Sequence, residues 1–219
     1  MQKKTPTSSK IVKIGIIVAI VLIPVLFYFL FFSPSINPQN ILKQVREVYE
    51  DQSITMIDKK KIKSGYILTL QKGDTTFYAK TYDNTPNGVP FPRGVVIESN
   101  LLYQLYLKYE TKIQTLAKSY QIDIVFEKPT AIEDTFRNSL VTIKAKESEI
   151  YKVHNFIMAV ASIDEIKEVY QTKQKADNKD KYNLISDTGT ISIYGEDGKR
   201  KHLYAFYEEW KGNGTTKAY

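Results

Sequence analysis

Hydrophobic and polar positions alternate with a different period in each region of this chain, and each period predicts a different element. From Ile14 to Phe32 no side chain carries a formal charge, and a helix of about 19 residues spans roughly 30 Å, the thickness of a bilayer core. A signal peptide has a shorter apolar stretch, about 7 to 15 residues, ending in an A-x-A-like site. Ser33 and Ser35 offer small side chains for such a site, but Pro34 separates them and Phe27, Tyr28, Phe29, Phe31 and Phe32 crowd it. The pattern therefore predicts a retained signal-anchor. Lys3, Lys4, Lys10 and Lys13 precede the anchor with no acidic residue among them, which leaves residues 1–13 as a cytoplasmic tail and everything from Ser33 outward as extracytoplasmic.

Beyond the anchor, residues 33–84 read as a juxtamembrane helix and a β-rich unit. Asn40 is placed to cap a short helix in which Ile41, Val45 and Val48 share one face. Tyr66, Leu68 and Leu70, then Phe77 and Ala79, keep the two-residue period of a hairpin turning at Gly73-Asp74, with Leu70 opposite Phe77 and Leu68 opposite Ala79. SITMID supplies a third strand, and DKKKIK, residues 58–63, lies between it and the hairpin. Pro86, Gly88, Pro90, Pro92 and Gly94 mark 85–98 as a linker.

Residues 99–210 form a second α+β unit. Leu102, Leu105, Tyr106, Tyr109, Ile113, Leu116, Ala117 and Tyr120 recur at helical spacing and predict one long helix. IDIVFE and LVTIKAK read as strands, and Ile150, Val153, Ile157 and Val160 as a helical stripe. The segment 163–172 admits two readings, a helix capped by Ser162 with Glu165 or a strand after a turn; the strand is chosen. Asp197-Gly198 then turns a C-terminal hairpin that pairs Ile193 with His202 and Ile191 with Tyr204. Residues 211–219 read as a flexible tail.

Composition narrows the setting. The net charge of +7 falls to +3 once the four lysines of the tail are set aside, 27 basic against 24 acidic residues, a balance unlike a nucleic-acid-binding surface. With no cysteine the chain is neither a lipoprotein nor cross-linked, and its external domain must be held by burial and hydrogen bonds. Together with richness in Lys, Ile and Tyr, this describes a bacterial cell-envelope protein.

In the second half, Leu140-Val141-Thr142-Ile143-Lys144 leads into a helix ending Phe156-Ile157-Met158-Ala159-Val160-Ala161-Ser162-Ile163-Asp164, followed by a strand. With the preceding helix and strand this order resembles the ferredoxin-like αββαβ domain of single-pass alignment proteins in type IV pilus and type II secretion machines. The resemblance implies a scaffold that forms dimers or rings. It carries no catalytic residues, and the β-rich unit 53–82 departs from the family's pattern.

No catalytic motif emerges: there is no nucleophile elbow, no phosphate-binding loop, and only His154 and His202 as imidazoles. His154 reads as a boundary residue with a satisfied ring nitrogen, and His202 as a neighbour of Ile193. No metal and no cofactor are expected. Lys59, Lys60, Lys61 and Lys63 are candidate contacts for an anionic ligand, against the plainer reading of a solvated strand edge. Phe91, on its proline-stiffened loop, and Trp210 are candidate partner contacts; the plainer readings tuck Phe91 against the core and lay Trp210 over a core edge. Glu208 and Glu209 beside Trp210 suggest sugar contact, although adjacent residues of a strand point to opposite faces. Sixteen tyrosines suit either interfaces or strands. The sequence thus describes a non-enzymatic module anchored in the lipid bilayer that binds another envelope protein or itself; the alternative is a sensor for a ligand such as an anionic wall polymer.

Overall fold

The computed structural model describes residues 22–23, 37–63, 65–83, 95–177, 185–186 and 188–212. Leu22 and Ile23 are helical; the rest of the expected span, the tail 1–13 and Phe91 lie outside the described residues. Among the described residues no helix is long and apolar enough to cross a membrane. Segments Ile36–Asn84 and Val95–Tyr219 make one compact unit, an α+β fold with two four-stranded sheets and six α-helices among the described residues.

Helix α1 runs from Pro38 to Val48, capped by Asn37, whose side chain accepts from the Gln39 amide at 3.0 Å. The cap therefore falls three residues before Asn40, because Pro38 presets φ for the first helical position. The first sheet is an antiparallel meander of β1 (Thr55–Ile62), β2 (Gly65–Lys72), β3 (Thr75–Asp83) and β4 (Val95–Ser99). Leu70 pairs with Phe77 and Leu68 with Ala79, as the alternation predicts. Two boundaries differ: residues 95–98, read as linker, form β4, and Lys59, Lys60 and Lys61 lie inside β1 rather than after it.

The expected long helix forms as α2 (Leu101–Lys108) and α3 (Glu110–Ser119), interrupted at Tyr109, where φ is −101° and ψ 15°. Leu101, Leu102, Tyr103, Leu105 and Tyr106 are all buried, so α2 is apolar nearly all round, as a helix covered on several sides must be. It packs on β3 and against α5. Asn100, fully buried, ties this region together: it accepts from the Tyr78 amide at 2.7 Å and donates to Thr135 Oγ1 at 2.7 Å. Thr135 belongs to a 3-10 turn, Ile132–Phe136, between the segments IDIVFE and LVTIKAK.

The second sheet has the order β5 (Ile124–Phe126), β6 (Val141–Lys146), β7 (Gly189–Tyr194), β8 (Arg200–Ala205); β6 and β7 are parallel and the outer pairs antiparallel. Two helices, α4 (Ile150–Val160) and α5 (Asp164–Asp177), connect β6 to β7. Residues 164–172 are thus helical, not a strand. Burial of Ile166, Val169, Tyr170, Lys173 and Ala176 at spacings of three and four shows why, since the period-three recurrence Ile163, Ile166, Val169 belongs to a helix face. The αββαβ order becomes strand, strand, helix, helix, strand, strand after α3.

The β7–β8 hairpin keeps the expected pairs Ile191–Tyr204 and Ile193–His202 by an unexpected route. Its loop has three residues, with the Gly198 amide donating to the Gly195 carbonyl and Gly198 at φ +70°, the type I turn with a left-handed glycine. This shifts the register by one, and an extra residue in β8 next to Ile193/Tyr194 restores it. Helix α6, Phe206–Trp210, closes the second sheet's C-terminal end and seats Phe206 and Tyr207 in the core.

Candidate functional site

The β2–β3 turn carries Lys72, Asp74 and Thr75 to the C-terminal end of α2 and the first turns of α5. Lys72 Nζ lies 3.0 Å from Asp51 Oδ2 and 2.7 Å from Glu168 Oε1. Lys108 Nζ lies 2.7 Å from Asp74 Oδ1 and 2.8 Å from Glu165 Oε1, and Tyr109 Oη donates to the same Glu165 oxygen at 2.7 Å. Around them opens a cleft of about 290 Å³ lined by Asp51, Ser53, Lys72, Asp74, Leu101 and Glu165 among others.

Each charge in the cleft is held by its neighbours. The Ser53 hydroxyl holds the Asp51 carboxyl below its usual range against the opposing effect of burial, and Lys108 does the same for Asp74. Burial alone would lower the Lys72 amine, but hydrogen bonds to Glu168 and Asp51 keep it raised; Asp74 and Glu165 raise Lys108. Glu165 also pushes the Tyr109 phenol up. Asp51, Asp74, Lys72 and Lys108 therefore stay charged through the neutral range while the Tyr109 phenol stays neutral, which suits a latch between hairpin and helices better than proton transfer. Among the described residues no group of three or more His, Cys, Asp or Glu side chains is placed to hold a metal.

The residues singled out from sequence are dispersed. Lys59, Lys60, Lys61 and Lys63 are all exposed, but strand alternation sends Lys60 to the face opposite Lys59 and Lys61. Lys60 is engaged with Glu133 Oε1 at 3.0 Å, so the run does not form a single basic face. Trp210 is half-buried in an aromatic group with Tyr170 and Tyr207, at centroid distances of 5.2 and 5.8 Å. His154 Nδ1 lies 2.8 Å from Oε1 of Glu209, whose side chain is fully buried. With α6 helical, Glu208 is half-buried and Glu209 turned inward, so the two carboxylates face different surroundings. His202 pairs with Ile193 at the exposed edge.

Tyr103, Tyr106, Tyr170 and Tyr207 are at most 1% exposed, which gives these four a packing role. Lys173, also buried, donates to the Ile185 carbonyl at 3.1 Å and stands 5.1 Å from the Tyr207 ring centroid.

Sequence reasoning missed the outer face of the second sheet. Ile124, Ile143, Ile191 and Tyr204 form one row across the sheet, on the core side. The residues between them point outward: Val125, Thr142 and Thr190, then Lys144, Ser192 and Leu203. None of these six is buried, and the apolar Val125 and Leu203 are 50% and 52% exposed. They sit at opposite edges, on β5 and β8. The signal was present in the alternation of both strands, but their neighbours in the sheet were unknown. Compared with protein-family models, curated proteins and solved structures, the chain matches none.

Proposed function

We propose that this chain is a non-enzymatic assembly module of the cell envelope, held to the membrane by the apolar stretch 14–32 with its α+β body outside and its β5–β8 sheet as the partner surface. One observation carries the reading: half-exposed apolar side chains on the outer face, at strands whose far edges pair with no described strand. Unpaired strand edges beside apolar side chains are a recurrent docking surface for other chains. The similarity to ferredoxin-like domains of alignment proteins points the same way, with α5 as an addition between α4 and β7. The buried Tyr103, Tyr106 and Tyr170 and the matched charges of the cleft serve the body's rigidity, so function falls to its surface.

Photo-cross-linking in intact cells tests this, with an unnatural amino acid at Thr142 or Ser192 on the outer face and at Lys112 on the exposed side of α3. Protein adducts specific to the sheet positions support the reading; adducts equal at all three sites, or none, overturn it. Protease added to intact cells must digest the body while cytoplasmic controls survive. Survival of the body beside a digested surface control would overturn its placement. The second reading, an anionic wall polymer held by Lys59, Lys60, Lys61 and Lys63, draws on the exposure of all four. It requires salt-sensitive binding to purified wall polymer that is lost when these lysines are neutralised.

A further inference from the structure

We propose that the partner of this sheet is a second copy of the same chain, added head to tail: the β8 edge of one copy receives the β5 edge of the next. This rests on the assembly reading and names its partner. The two edges belong to one sheet and run in the same direction, since β5 is antiparallel to β6, β6 parallel to β7, and β7 antiparallel to β8. A neighbouring copy with its outer face on the same side therefore brings β5 alongside β8 in parallel.

Chemistry selects the register. Setting Leu203 beside Val125 of the next copy joins the two half-exposed apolar side chains of the outer face. Tyr204 then meets Phe126 on the inner face, and His202 meets Ile124. Lys201 arrives at the level of Asp123, and both are exposed. Before association Lys201 makes an exposed pair with Asp197 at 3.3 Å, the kind of contact that gives way readily. In this register opposite charges meet at one end of the junction, where Lys201 of β8 faces Asp123, the residue before β5. The extra residue in β8 ends the regular stretch near His202, so the junction is limited to about the three residues that β5 supplies. So small a contact is weak on its own and needs high local concentration, which confinement to a membrane provides. A head-to-tail contact repeats from copy to copy and builds rings or filaments.

The absence of cysteine makes the test clean. Leu203→Cys and Val125→Cys chains, full length and in membranes, are oxidised separately, mixed, and as the double variant. Head-to-tail pairing predicts no product from either single variant, dimers from the mixture, and a ladder from the double variant. Lys201→Glu should reduce the ladder several-fold, and adding Asp123→Lys should restore it. Dimers from Leu203→Cys alone would show symmetric β8 pairing and overturn the proposal, as would dimers from Val125→Cys alone. Absence of any product from well-folded variants, checked by circular dichroism, overturns it as well. If the cysteines do not join while photo-cross-linking captures a different envelope protein, self-pairing fails and the assembly reading stands; if both are silent, both fail.

Discussion

The phenol oxygens of Tyr106 and Tyr170 meet at 2.5 Å inside the core, and this one contact joins α2, which lies on the first sheet, to α5 of the crossover in the second. Tyr106 also meets Phe206 edge-on at 5.8 Å, and Tyr170 meets Tyr207 at 5.6 Å. Replacing either tyrosine by Phe removes the hydrogen bond while keeping the ring. Each single change should cost about 1 kcal/mol or more, and the double variant less than the sum, because the second loss finds the bond already gone. Denaturant unfolding of the four chains checks it; strict additivity would show that the hydroxyls do not act on each other.

Gly189 opens β7 where the Phe206 ring crosses it. A Cβ added there would lie 2.6 Å from Phe206 Cδ2 and 2.7 Å from Cγ, so backbone or ring must move. Gly189→Ala should destabilise by about 1–3 kcal/mol, the range for overpacking, and Phe206→Leu in the same chain should recover part of the loss. A neutral Gly189→Ala variant would mean that α6 does not seat against β7 in this way.

The cleft ion pairs make a pH prediction with a definite sign. Asp51 and Asp74 are lowered from 3.8, so their contribution is present above that value and is lost as pH falls through their folded pKa. Lys72 and Lys108 are raised from 10.5, so theirs is present below that value and is lost as pH rises through the folded pKa. The stability difference between the native chain and Lys108→Met should therefore be flat from about pH 5 to about pH 9 and shrink at both extremes. A difference that is constant across the whole range would remove the electrostatic origin.

His154 and the buried Glu209 hold α4 to α6. His154→Ala should cost about 1–3 kcal/mol, because a buried carboxylate loses a hydrogen-bond partner, whereas Glu209→Gln keeps an acceptor in place and should cost less. Amide hydrogen exchange across Phe206–Trp210 should quicken in the first variant. Unchanged exchange would show that α6 is held by Phe206 and Tyr207 alone.

Local patterns were legible where they decide themselves over a few residues. The registers Leu70–Phe77 and Ile193–His202 follow from alternation around a glycine-bearing turn, even though the second hairpin reaches its register through a three-residue loop and a bulge. The segment 163–172 was misread because Ile163 and Ile166 suit a turn and strand as well as a helix until the burial of Tyr170 and Ala176 extends the stripe. Of the candidate site residues, Lys60 reads as free until Glu133, distant in sequence, is brought to it. Trp210 and His154 likewise acquire their partners only through packing.

By itself the chain's sequence determined the α+β class, both hairpins, the helical character of 101–119 without its break at Tyr109, and an uncharged stretch long enough to span a bilayer, because each depends on periodicity or on length. Tertiary structure alone decided that β1 through β4 form one sheet, that β7 rather than 163–172 lies beside β6, and that Val125 and Leu203 share an outer face at opposite edges. Those outcomes depend on which distant segments bury one another, and burial is a property of the assembled body that no short window of residues contains.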